Sequence, residues 1–209
     1  MLKVEELRKH PMRKSLTEIC FDDGSSILLS RRAALAISRG DEFEQEEVDQ
    51  LQVSDQLERA WPAAARFLEF RDRTVAEVRS RLATGGFLQE VIDFVVERLI
   101  VERLLDDERF ARNWVENRSD LHPRSHRMIR RELMQKGIDE KCIARSLGNA
   151  EEESELARRL AEKLAHRMTS SDFQEFQKRV GGALARKGFS YSIIRPILLD
   201  LWESKTTEK

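Results

Sequence analysis

Three glycines, Gly86, Gly137 and Gly188, stand 51 residues apart, and the residues around each of them repeat. In that register Leu82, Leu133 and Leu184 coincide, as do Val78, Ile129 and Val180, then Phe87, Ile138 and Phe189. The middle copy shows what the phrase encodes. Ile129 and Leu133 lie one helical turn apart and face a core, and Gly137 follows where a helix end favours a left-handed residue. Ile138 supplies the apolar contact that often follows such a cap. Asp139 and Glu140 suit the positive first turn of the next helix. Three such phrases at constant spacing, with apolar positions matching on both sides, make an internal repeat. Each unit therefore reads helix, helix, glycine stop, helix. Such a unit encloses a small core and buries more apolar surface against its neighbours.

Taken in order, residues 1–14 are polar and mixed in charge and read as a mobile arm. Residues 15–53 read as a hairpin-helix extension. Leu16, Ile19 and Phe21 precede an Asp22-Asp23-Gly24 turn, and Ile27 to Leu29 follow it. Arg31 to Ser38 is helical, Gly40 stops it, and a further helix starts at Glu44. Repeat 1 spans 54–104, repeat 2 spans 105–149 and repeat 3 spans 150–203, with a frayed tail over 204–209. Pro62 kinks or restarts the leading helix of repeat 1. Thr74 and Glu77 form a capping box, as do Ser171 and Gln174. Asp106-Asp107-Glu108 caps the helix that begins repeat 2. Phe110, Trp114 and Val115 make that helix's inner stripe. Gly181-Gly182 marks a close approach by another helix, and Pro196 a kink in the last one. The expected fold is mainly α: three tandem three-helix repeats in an elongated array whose units tilt, with a small N-terminal β-hairpin and helix extension.

Chemistry is excluded more readily than assigned. There is no phosphate-binding glycine loop, no dinucleotide fingerprint and no nucleophile elbow. His122 and His126 have a chelating spacing but no third ligand nearby, and Arg124 and Arg127 would repel a cation. Cys20 and Cys142 show no ligand spacing and read as free thiols. Catalytic residues, a metal and a cofactor are therefore not expected, and the chain reads as a non-enzyme. It has no apolar leader or membrane-length segment, so a cytoplasmic monomer is expected.

Charge is dense but balanced, with 37 basic and 38 acidic side chains, so any signal for a partner must be local. Arg124, Arg127, Arg130 and Arg131 crowd together, with Lys136 at the helix end. Arg124, Arg127 and Arg131 are expected on one side of a helix, away from Ile129 and Leu133. Arg79 and Arg81 in repeat 1, and Arg186 and Lys187 in repeat 3, are related basic positions. These nine residues are the candidate partner surface, suited to phosphate or carboxylate contact; no aromatics interleave to stack bases.

Leu104-Leu105-Asp106-Asp107-Glu108-Arg109-Phe110-Ala111 with Trp114, then Ile129-Arg130-Arg131-Glu132-Leu133 with Gln135-Lys136-Gly137-Ile138, resembles the RecX family of bacterial regulatory proteins. The flanking copies, Glu77 to Leu82 with Phe87 and Leu184 to Ser190, fit the same pattern. The resemblance covers roughly Leu57 to Trp202. It implies a fold of three tandem three-helix units. It also implies a partner, the RecA recombinase filament, held in its groove with strand exchange and ATP hydrolysis usually inhibited. Contacts to single- or double-stranded DNA through phosphates would accompany that binding. Thr84-Gly85-Gly86 departs from the usual lysine-glycine, so repeat 1 is expected to contact the filament less. The rival reading is a helical-repeat DNA-binding protein with no dedicated RecA partner.

Overall fold

A computed structural model describes residues 1–149, 151–168 and 172–207, and the chain divides into two compact units, Met1–Leu105 and Asp106–Lys209.

The first unit opens with a four-stranded antiparallel sheet of β1 (Leu2–Lys9), β2 (Leu16–Phe21), β3 (Ser26–Ser30) and β4 (Glu42–Phe43), in the order β3-β2-β1-β4. The expected arm over 1–14 is thus corrected, because Val4 to Lys9 pair with β2 and Leu2–Lys3 with β4. Its apolar residues, Leu2, Val4 and Leu7, break the two-residue period of a strand. A bulge between Val4 and Glu6 absorbs the extra residue, so Leu7 still packs with this core. The β2–β3 hairpin turns where expected, with Gly24 at φ +86°.

The expected helix over Arg31–Ser38 is only one turn, α1 (Arg31–Ala34), before Gly40 turns the chain into β4. A single 24-residue helix, α2 (Gln45–Leu68), then crosses the expected boundary at 53/54 and continues through Pro62 without a restart. Asp55 on α2 explains why sheet and helix cannot be separate bodies. Its buried carboxylate accepts the Ser30 N–H at 3.0 Å and the Arg59 Nε–H at 2.8 Å. Helices α3 (Val75–Thr84) and α4 (Gln89–Val101) complete repeat 1, and Thr74 and Glu77 close the capping box. The core packs Ala60 and Ala64 of α2 with Val78, Leu82, Val91, Ile92, Val95, Val96 and Leu99. Ile100 of α4 is exposed.

The second unit holds repeats 2 and 3. Repeat 2 is α5 (Asp107–Asp120), α6 (His126–Gln135) and α7 (Glu140–Gly148). Asp106 caps α5 and Asp139 caps α7 through their side chains. Repeat 3 is α8 (Glu153–Ala165), α9 (Phe173–Phe176), a π-helical turn (Gln177–Gly181), α10 (Gly182–Arg186) and α11 (Tyr191–Thr207). Ser171 of the expected capping box lies outside the described residues, and Asp172 caps α9. The π turn was not foreseen. It places Gly181 against α11, where a Cβ would meet Leu198 Cδ1 at 3.0 Å, so close approach is the reason for glycine there. The tail expected from Ser204 is helical through Thr207.

All three repeats end their middle helix in the same way. Gly86, Gly137 and Gly188 have φ of +78°, +78° and +92°. The following N–H groups of Phe87, Ile138 and Phe189 reach back to the carbonyls of Leu82, Leu133 and Leu184. Those leucines are essentially inaccessible, so one local motif both stops the helix and anchors its core residue.

Repeat 3 docks through its glycine stop on the start of α6 in repeat 2. The Ser125 N–H donates to the Lys187 carbonyl at 3.0 Å, and a Cβ on Gly188 would lie 2.3 Å from Met128 Cγ. Arg159 of α8 donates to the Ser119 carbonyl at 2.7 Å and pairs with Glu151 at 3.0 Å.

Candidate partner-binding surface

Helix α6 sets the geometry. Ile129 and Leu133 are fully buried in the repeat 2 core, and a rotation of 100° per residue turns Arg127 and Arg131 to the opposite side. Both arginines are exposed and make no ion pair among the described residues. Met134, more than half exposed, falls on the same face. Arg130 is exposed but lies 3.3 Å from Glu140, which offsets part of its charge.

Arg124 is not where the helical periodicity placed it. Ser125 is the N-cap of α6, its hydroxyl accepting the Met128 N–H, so Arg124 precedes the helix. Its Nε lies 3.1 Å from Glu132 Oε1, an ion-pair distance without hydrogen-bond alignment. Lys136 also departs from the expected solvent-facing position. It is half-buried, with Nζ 4.8 Å from the Trp114 ring centre and 5.5 Å from that of Phe110.

Sequence reasoning missed the carboxylate that ties these groups together. Glu132 accepts the Trp114 Nε1–H at 2.9 Å and the Arg118 Nε–H at 2.7 Å on one oxygen, while the other faces Arg124. Arg118 also lies over the Trp114 ring at 4.3 Å, and Trp114 stacks on Phe110. One signal was available. Glu132 is the one acidic residue in the arginine-rich helix, and Trp114 and Arg118 are four apart on the helix beside it.

The basic positions of the other repeats differ among themselves. On α10, Arg186 is exposed and makes no ion pair among the described residues, and Lys187 is half-buried. Because the Lys187 carbonyl accepts from Ser125, docking brings the Arg186-Lys187 backbone to the N-terminal end of α6. On α3, Arg79 is neutralised by Asp93, whose carboxyl it holds below the usual carboxylate range by direct hydrogen bonding. Arg81 is exposed, its guanidinium 5.9 Å from the Phe67 ring centre. The Gly85 carbonyl at the end of α3 accepts from the Arg13 guanidinium at 2.8 Å, and a Cβ on Gly85 would press on the Leu82 carbonyl and the Phe87 ring at 3.0 Å.

Charge is segregated to match. Residues 106–209 carry 21 basic and 18 acidic side chains, a formal +3, whereas residues 1–105 carry 16 and 20, a formal −4. The second unit is therefore the one suited to an anionic surface.

No group of three or more His, Cys, Asp or Glu among the described residues is placed to hold a metal. His126 instead sets its ring Nε2 3.2 Å from the Glu151 carbonyl and Nδ1 3.9 Å from Glu153. Cys20 and Cys142 are unpaired thiols, and burial pushes the Cys142 thiol above its ordinary range. No described helix is long and apolar enough to cross a membrane.

Comparison with known proteins agrees with this architecture. Models of the RecX first, second and third three-helix domains match residues 60–99, 106–147 and 151–198. A "Regulatory protein RecX" of Geobacillus kaustophilus is 30% identical over 166 residues, covering 78% of this chain and 62% of the relative, less than two thirds of its length. A "Regulatory protein RecX" of Mycobacterium marinum is 31% identical over 145 residues, covering 68% of this chain and 84% of the relative. A solved structure titled "Crystal structure of regulatory protein RecX" covers 94% of this chain and 98% of its own, at a TM-score of 0.61 and 23% identity, a likeness of fold. With three domain models in chain order on the three structural repeats, the chain belongs to the RecX family.

Proposed function

We propose that this chain is a non-enzymatic regulator that binds the RecA nucleoprotein filament and lowers its ATP hydrolysis and strand exchange. In the cell this would place it in the cytoplasm, restraining recombination and DNA repair during the SOS response. RecA as partner comes from the family resemblance. The observation that carries the reading is the exposed arginine pair, Arg127 and Arg131, on a helix face that repeat 2 leaves outside its core. Arg124, Arg130, Lys136, Arg186 and Lys187 belong to the same unit and would add weaker contacts. Arg79 and Arg81 contribute less, because Asp93 occupies the first and the first unit is net acidic. Several modest charge contacts from two docked repeats add through effective concentration rather than through any one strong contact. DNA phosphates of the filament are secondary contacts in this reading.

The test is ATP hydrolysis by RecA on single-stranded DNA while this protein is titrated in at substoichiometric amounts. The expected result is a fall in rate that Arg127→Glu with Arg131→Glu abolishes. An unchanged rate at saturating protein would reject the proposal.

A further inference from the structure

Glu132 is surrounded by more positive charge than it can neutralise. Arg118, Arg124 and Lys136 all gather at this one carboxylate and its indole partner, and Glu132 itself is only 18% exposed. Arg118 spends its Nε on Glu132 and Nη1 on the Asn117 side chain, leaving Nη2 with no hydrogen bond among the described residues. Arg124 has neither Nη engaged, and its Nε is the one buried side-chain donor or acceptor without a hydrogen-bond partner among the described residues. The two guanidiniums are thus held near one oxygen pair while N–H groups remain unused. The Nη groups left over are open to solvent rather than buried, so they are free to donate to an incoming acceptor.

We propose that Arg118 and Arg124, held by Glu132, form a recognition site for a carboxylate, an Asp or Glu side chain of a protein partner. The inference rests on the reading that a protein covers this surface, and it deepens that reading by naming the chemistry of one contact. A carboxylate is favoured over a phosphodiester for two reasons. The second unit carries a formal charge of only +3, too little to draw a polyanion strongly. The site is walled by Trp114 and Phe110, and Trp114 is already stacked on Phe110 and capped by cations, so it offers no free face to a base. A planar carboxylate matches the fork of a guanidinium with two parallel hydrogen bonds.

Glu132 and Arg118 here are positioning and binding groups in one network, and the Trp114 indole reports on it directly. The experiment titrates the full chain with short poly-glutamate and, separately, with a dodecathymidylate, following the Trp114 indole N–H resonance, assigned with Trp114→Phe. Arg118→Lys and Arg124→Lys are the informative variants. A lysine still neutralises Glu132 but presents no second N–H fork, so the fold is retained and thermal unfolding checks this. The expected result is a saturable shift with poly-glutamate whose affinity falls roughly tenfold in each variant. Poly-glutamate binding that ignores both variants overturns the site. A shift produced by the oligonucleotide alone and lost in the variants overturns the carboxylate assignment in favour of phosphate. No shift with either probe leaves the cluster as a staple between α5 and α6 and also overturns the proposal. No RecA is present in these titrations, so failure of the filament reading is seen separately in the hydrolysis assay.

Discussion

Gly188→Ala tests the docking of repeat 2 on repeat 3. Two costs add at this position. The backbone sits at φ +92°, where an L side chain costs roughly 1 kcal/mol. The new Cβ would also lie 2.3 Å from Met128 Cγ and 2.5 Å from Ser125 Oγ. Neither atom can yield freely. Ser125 Oγ is the N-cap acceptor of α6, and its N–H is committed to the Lys187 carbonyl. Overpacking of this kind adds roughly 2 kcal/mol, giving about 3 kcal/mol in total. Gly24→Ala is the internal control, because it has a similar φ of +86° with nothing within 4 Å, and should lose only about 1 kcal/mol. Urea unfolding followed by tryptophan fluorescence measures both, with hydrogen exchange assigning the loss to the second unit for Gly188→Ala and to the first for Gly24→Ala. Equal losses for the two variants would refute the docked arrangement of α6 on the Lys187-Gly188 turn.

Three further outcomes follow from the polar groups. Asp55→Ala strands the Ser30 N–H and the Arg59 guanidinium at a buried site, so the first unit should lose about 3 kcal/mol in denaturant unfolding, with the second unit unaffected. Glu132→Ala removes the shared acceptor of Trp114 and Arg118; partial exposure reduces the effect to about 2 kcal/mol, read as a lower midpoint for the second unit. Burial raises the folded Cys142 thiol pKa above its ordinary range, so its neutral form is favoured by folding. Its contribution is fully present below the unfolded-state pKa and is lost as pH rises through the folded value. Alkaline destabilisation of the second unit should therefore be weaker in Cys142→Ala, and a thiol reagent should label half-buried Cys20 before Cys142.

Much of the fold could be read from residues because its signals are local. A glycine that must adopt positive φ, followed by an apolar residue and preceded by a leucine four positions earlier, states a helix stop in a few residues. The 51-residue recurrence then counted the repeats. Capping at Thr74 and Asp106 was equally local. What escaped depended on pairing at a distance. β1 has no clean alternation until its bulge is known, and the two-residue β4 has no pattern at all. The boundary at 53/54 failed because Asp55 fastens α2 to the sheet, a contact across 25 positions. At the surface, α6 periodicity correctly turned Arg127 and Arg131 away from Ile129 and Leu133. It misplaced Arg124, because Ser125 caps a helix that begins at His126 and leaves Arg124 outside it. The Glu132 cluster joins three elements, α5, the turn before α6 and α6 itself, so no single stretch of sequence displayed it.

The central claim is that the filament, rather than bare DNA, is what the arginine face of the second unit binds. The most direct measurement is fluorescence anisotropy of the labelled protein titrated with preassembled RecA on single-stranded DNA, and in parallel with the same DNA alone. Tighter binding to the filament than to the DNA, abolished by Arg127→Glu with Arg131→Glu, is the expected result. Equal binding to both, or filament binding indifferent to that double substitution, would contradict it.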